Sequence, residues 1–237
     1  MLLINEISKS FKDKKILSNI SFKVNAGEIY GLLGPNGAGK TTTFYIIAGL
    51  VGFEEGQVSL LNNDITNLTM HERSKLGIKY LPQEPSIFQS LTVYENLKGL
   101  AELSIKSNKE IKNFIEKSIE EFNLTDIVNL KGRQLSGGQR RKVEIARTLA
   151  ADPKIILLDE PFAGIDPIAI EDIKDILSSL AKKNIGILIT DHNVRETLEI
   201  CNKAAIINCG EIIAEGNKSE LINNELVKET YIGNMFS

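Results

Sequence analysis

The sequence predicts an α/β fold built around a phosphate-binding loop, and three observations carry the prediction. Gly34-Pro35-Asn36-Gly37-Ala38-Gly39-Lys40-Thr41 fits G-x-x-x-x-G-K-[ST] at every fixed position. The loop follows a short apolar run, residues 29–33, and precedes a helical stretch from Lys40 to about Ala48, the strand–loop–helix context the motif requires. Two further apolar runs, residues 154–158 and 185–190, read as buried strands.

The remaining elements follow along the chain. Residues 2–7 and 20–24 read as strands, with Gly27 between the second of them and the strand at 29–33. Residues 57–61 form another, ended by Asn62-Asn63-Asp64, and residues 78–81 a short one before Pro82. Thr92 and Glu95 make a capping-box pattern before Leu97, Leu100 and Leu103. Ser107 and Glu110 repeat it before Ile111, Phe114, Ile115, Ile119 and Phe122, which recur at helical spacing as one apolar stripe. The region from about 85 to 150 is therefore expected to be a mostly helical insert in an α/β core. Asp166-Pro167 is a good helix start, because Asp caps and Pro fits the first helical position, and that helix is expected to reach about Lys183. Asn193 and Glu196 suggest another start. Residues 204–208 and 211–214 flank Cys209-Gly210 as a hairpin, and residues 218–231 look helical.

Composition narrows the function. The 237 residues suit one or two domains with a substantial core. A net charge of −3 without a long basic run disfavours nucleic acid as the main partner. Arg133, Arg140, Arg141, Lys142 and Arg147 read as a solvated helix face. No apolar run approaches the ~18 residues of a membrane span, and the start lacks the basic-then-apolar pattern of a secretory signal, so a cytoplasmic location is expected. Cys201 and Cys209 lack metal-ligand spacing and read as reduced thiols, and His71 as a surface residue.

The loop's chemistry is direct. Its glycines let backbone N–H groups turn toward phosphates, and the helix start adds a positive dipole end. Lys40 supplies a point charge to the outer phosphates, and the Thr41 hydroxyl suits Mg²⁺. Asp159-Glu160, at the end of a buried strand, places two carboxylates where open α/β sheets gather ligands. Asp159 suits Mg²⁺, and Glu160 suits the attacking water as base or orienting acceptor. In Leu135-Ser136-Gly137-Gly138-Gln139, Ser136 and Gln139 form a capping-box pattern. Two glycines in a first helical turn cost roughly 1–2 kcal/mol against alanine, and close approach of an anion to bare N–H groups explains them where stability does not.

With that pentapeptide the chain resembles the ATP-binding cassette (ABC) superfamily, whose signature it is, and the resemblance covers nearly the whole chain in the family's order. It implies one ABC ATPase domain over residues 1–237: a RecA-like core, an N-terminal antiparallel β subdomain, a helical subdomain and a C-terminal extension from about 217. ATP is expected on Gly34, Pro35, Asn36, Gly37, Ala38, Gly39, Lys40, Thr41 and Thr42, with Phe11 stacked on adenine; buried packing is the other reading of Phe11. Gln83 matches the family's glutamine that touches Mg²⁺ and water, joining Thr41 and Asp159 at the metal. Asp166 lies in the loop that crosses to a partner subunit, and His192 matches the switch histidine, joining Gln83 and Glu160 in catalysis. The resemblance further implies two copies packed head to tail, each ATP lying between one copy's phosphate loop and the other's Leu135, Ser136, Gly137, Gly138 and Gln139.

Residues 80–97, Thr41-Thr42-Thr43-Phe44-Tyr45, the stretches at 159–167 and 190–198, and the tail at 231–236 are similar to the ATPases of bacterial lipopolysaccharide export. Gln89 stands where a basic residue is expected, and the tail differs around Asn234-Met235. That resemblance implies polytopic transmembrane permease partners on the cytoplasmic face of an inner membrane, with Phe88, Leu91 and Tyr94 lining a groove for a short partner helix or else packing within the insert. A branched-chain amino-acid importer and a soluble cassette of the iron–sulfur assembly type are the alternative readings.

Overall fold

The structure is a computed structural model that describes residues 1–12 and 14–233. Its first sheet is antiparallel. β1 (Leu2–Phe11) pairs with β2 (Lys14–Val24), and after β3 (Ile29–Leu33) and α1 (Lys40–Ala48) the chain returns through β4 (Glu55–Leu60) and β5 (Asn63–Asp64), giving the order β2-β1-β4-β5. β1 and β2 extend well beyond the predicted 2–7 and 20–24. Register shifts between Ile4 and Ile7 and between Ile7 and Lys9, with left-handed Glu6 (φ 53°) and Asn19 (φ 54°), break the alternation that sequence reading follows. The predicted end of β4 also moves. Leu61 and Asn62, at φ 50° and 67°, form the tight reversal, and Asn63–Asp64 pairs back as a strand.

The second sheet is the platform of the site. It is completed by α2 (Met70–Lys75), β6 (Ile78–Leu81), α3 (Val93–Ser104), α4 (Asn108–Glu121), α5 (Gly137–Thr148), β7 (Ile155–Asp159), α6 (Pro167–Lys182), β8 (Gly186–Thr190), α7 (Val194–Ile200), β9 (Lys203–Asn208), β10 (Glu211–Gly216) and α8 (Lys218–Asn223). The strand order is β10-β9-β3-β8-β7-β6, with only the edge pair β9–β10 antiparallel. Alternate residues sort to opposite faces. Tyr30, Leu32, Ile155, Leu157 and Leu188 pack against α1 and the antiparallel sheet. Ile156, Leu158, Ile187 and Ile189 pack against α6 and the helical layer. Each such side chain contributes about 1.5–3 kcal/mol by leaving water, so the strand ends are held by burial on both sides.

The helical layer corrects three expectations. Thr92 and Glu95 do form a capping box on α3, but Ser107 makes no cap bond on α4. That helix is held by its predicted stripe, with Ile111, Ile115 and Phe122 buried and Phe114 and Ile119 half-buried. The basic cluster is not all solvated face. Arg141 donates to the Pro82 and Asp159 carbonyls, Arg147 donates to Ser86 and Asn96, and both are buried. Residues 218–231 are not one helix. Extended Asn224 (ψ 118°) ends α8, and a short turn at Glu225–Val227 leads into a π-helical turn, Lys228–Ile232. The expectations about Asn234, Met235 and Phe236 lie outside the described residues. Among those described, no helix is long and apolar enough to cross a membrane.

Candidate active site

The phosphate loop lies between β3 and α1 and takes backbone shapes that side chains resist. Gly34 sits at φ 154°, and a Cβ there would fall 2.0 Å from the Ile207 carbonyl oxygen. At Gly39, φ 113°, a Cβ would meet the Leu17 side chain at 2.5 Å. Gly39 also caps α1 without any side-chain acceptor. The first intrahelical bond comes from Thr43 N–H to the Gly39 carbonyl, 2.9 Å, so the amides of Lys40, Thr41 and Thr42 face outward from the helix end. At the other end Arg73, buried, donates to the carbonyls of Ile46 (2.6 Å) and Ile47 (3.0 Å) and fixes the helix in place.

Above the loop lies a cavity of about 560 Å³. Asn36, Gly37, Gly39, Lys40, Thr41 and Thr42 form one side of it, Gln83, Asp159, Glu160 and His192 another, and Lys14 and Ile16 of β2 a third. Lys40 is buried, and its ammonium donates to the carbonyls of Gly34 (2.7 Å) and Pro35 (2.9 Å). Burial lowers its pKa, while Glu160 and Asp159 act in the opposite sense.

The carboxylates come from β7 and the turn after it. Asp159 is buried; its Oδ2 accepts a hydrogen bond from the Tyr80 hydroxyl at 3.1 Å. Burial raises its pKa above the ordinary carboxylate value, with the Tyr80 bond, Arg141 and Lys40 opposing. Glu160 adopts φ 47°, a left-handed conformation that costs a non-glycine residue about 1–3 kcal/mol. Its N–H bonds the Thr190 carbonyl at 2.8 Å, tying the turn to β8. The strained backbone delivers its carboxylate between two partners: Oε2 accepts from Gln83 Nε2 at 2.6 Å, and Oε1 lies 2.6 Å from His192 Nε2.

The donor set fits a hard cation. The Thr41 hydroxyl, the Gln83 amide and the Asp159 carboxylate share one cavity and offer only oxygen, as Mg²⁺ requires. Beside them, the Thr190 hydroxyl, which shares a sheet face with Asp159 by register, is buried without a hydrogen-bond partner. Among the described residues it is the kind of orphaned donor that an oxygen-rich ligand satisfies.

Other predicted residues lie elsewhere. Ser136, Gly137, Gly138 and Gln139 do not line this cavity, and Leu135 is buried in the core. Ser136 caps α5, accepting from Gln139 N–H at 3.2 Å, while the Gln139 side chain accepts from Ser136 N–H at 3.0 Å. Gly138 has a packing reason that sequence reasoning denied it: a Cβ would stand 2.4 Å from that of Ala169, so α5 and α6 approach closely only with glycine there. Asp166 caps α6 through Ala169 N–H at 3.0 Å. Phe11 is exposed with Lys9 Nζ 5.0 Å from its ring centroid, which excludes core packing. Phe88, Leu91 and Tyr94 are likewise exposed rather than packed within the insert. They do not line a second cavity of about 640 Å³ between α2, β6 and α3. His71 is exposed, and Cys201 and Cys209 are free thiols.

Sequence reasoning missed Tyr80, Thr190, Asp191 and Arg141 at this site. Asp191 is buried and accepts from Phe162 N–H and Asn193 N–H, both at 2.8 Å, fixing the turn that presents His192. Burial raises its pKa. The available signal was strand alternation, since residues two apart on β7 and β8 share a face.

A phosphate loop between β3 and α1, with the Asp159 and Glu160 carboxylates across its cavity, is the arrangement of a P-loop nucleotide-binding domain. The family described as ABC transporter matches residues 17–163, and the chain belongs to it and is an ATPase. It is 52% identical over 239 residues to the lipopolysaccharide export system ATP-binding protein LptB of Haemophilus influenzae, covering 100% of this chain and 98% of that protein. It is 48% identical over 238 residues to LptB of Escherichia coli K12, covering 99% and 98%. Among solved structures, the ADP conformation of MJ1267, an ATP-binding cassette of an ABC transporter, superposes with a TM-score of 0.87 at 33% identity, covering 98% of each chain. The dimeric post-hydrolysis state of the cassette MJ0796, bound to ADP and phosphate, gives a TM-score of 0.80 at 26% identity, covering 92% of this chain and 99% of that one.

Proposed function

We propose that this chain is the ATPase subunit of a lipopolysaccharide exporter, working as a head-to-tail homodimer against transmembrane subunits on the cytoplasmic face of an inner membrane. The observation that carries the cargo is the 48–52% identity to LptB proteins over essentially the full chain, rather than over the nucleotide site alone. ATP is the substrate. Lys40 and the amides at the start of α1 bind its phosphates, and Thr41, Gln83 and Asp159 hold Mg²⁺. The cation supplies charge neutralisation at the phosphate oxygens. Glu160, fixed between Gln83 and His192, orients the attacking water and accepts its proton, and His192 contacts the γ-phosphate. Phe11 stacks on adenine from the end of β1.

One copy makes half a site. The start of α5 offers the amides of Gly137 and Gly138 and lies outside the cavity that holds Lys40 and Asp159, so it completes a site belonging to another copy, with Asp166 at the crossing. ATP thereby joins the two copies, and loss of the γ-phosphate releases them. Phe88, Leu91 and Tyr94 form the exposed surface that meets a transmembrane partner. Purification in mild detergent followed by identification of the copurifying chains tests the assignment. Two small transmembrane subunits with a lipopolysaccharide-handling periplasmic bridge are expected; an amino-acid permease, or soluble partners alone, would overturn it.

A further inference from the structure

Tyr80 reaches Asp159 from β6, the edge strand of the platform. β6 and β7 pair in parallel with Tyr80 opposite Leu157, so Tyr80, Leu157 and Asp159 point to the same sheet face. The Tyr80 hydroxyl donates to Asp159 Oδ2 at 3.1 Å. Its ring meets Tyr45 edge-on, with centroids 6.1 Å apart and planes at 86°, which locks the ring's orientation. The same residue also walls the outer cavity of about 640 Å³, together with Met70, Leu100 and Leu103.

A carboxylate's terminal torsion is broad, so a buried aspartate at a strand end needs a partner to fix its plane. Tyr80 is the side-chain partner the structure gives Asp159. The bond engages Oδ2 and leaves Oδ1 for the cation.

We propose that Tyr80 is a positioning residue for ATP hydrolysis: its hydroxyl sets the plane of Asp159 for Mg²⁺. The inference rests on the reading of Asp159 as the cation's ligand.

The test is the Mg²⁺ dependence of steady-state ATP hydrolysis by the purified full chain. Tyr80→Phe keeps the ring and removes the hydroxyl. A hydrogen bond to a charged group of this kind is worth roughly tenfold. The half-saturating Mg²⁺ concentration should therefore rise about tenfold, while kcat at saturating Mg²⁺, KM for ATP and the thermal midpoint stay unchanged. An unaltered Mg²⁺ dependence overturns the positioning role. Asp159→Asn tests the underlying reading separately. If it turns over ATP with wild-type Mg²⁺ dependence, that reading fails whatever Tyr80→Phe does.

Discussion

Two helices in this chain begin with glycines, and they begin differently. α1 starts at left-handed Gly39 with no side-chain cap, a lysine in its first position and two carboxylates across the cavity. α5 starts at Ser136 with a complete capping box, and its first turn lies outside the cavity that holds Lys40, Asp159 and Glu160. The first end leaves its amides to a ligand. The second satisfies two of its donors from its own side chains and leaves Gly137 and Gly138 open. A helix N-terminus is thus a general anion site, but the side chains around it decide whether it binds alone or only completes a site made by another surface.

The sharpest way to break the comparison is at Glu160. Glu160→Gln should lower kcat by about 10³-fold, in line with removal of a general base, while nucleotide still binds; single-turnover hydrolysis with labelled ATP measures it. Next comes Asp159. Asp159→Asn should abolish Mg²⁺-dependent turnover and yet raise the thermal midpoint at neutral pH. Burial raises the Asp159 pKa in the folded chain, so the ionised form opposes folding. That penalty is full above the folded value and disappears as pH falls below the unfolded one, so the gain from Asn should shrink toward acid pH in a thermal-melt series.

Lys40→Ala should weaken nucleotide binding by about 10- to 100-fold, the worth of charge-assisted hydrogen bonds to phosphate, with little change in unfolding; isothermal titration reports it. The smallest effects lie at the helix caps. Thr92→Ala should cost about 1 kcal/mol of stability by urea denaturation, and Ser107→Ala within ~0.5 kcal/mol, because only Thr92 makes a cap bond. Equal losses at the two caps would show that cap bonding does not set the stability of this layer.

The phosphate loop was legible because glycine, lysine and threonine at fixed spacing have few other uses, and α1 and β3 fall at the bounds the sequence implies. The apolar runs of β7 and β8 were legible because both faces are buried. Less legible were features set by tertiary contact. The bulges at Glu6 and Asn19 break a period of two and conceal the length of β1 and β2. The Ser107 pattern is local, while the chain's approach to α4 decides whether the bond forms. Gly138 also has a packing role that sequence does not reveal, because Ala169 sits against it. Arg141 and Arg147 looked solvated because charge alone does not show the carbonyls and side chains that bury them.

The central claim is that one chain holds half of each catalytic site and that ATP joins two halves. Sedimentation of purified Glu160→Gln chain, with and without saturating Mg-ATP, tests it most directly. The mass should double from 26.2 kDa when nucleotide is added, and Ser136→Arg, placed in the same chain, should prevent the doubling without removing nucleotide from the loop. A chain that binds Mg-ATP fully and stays at 26.2 kDa would contradict the account.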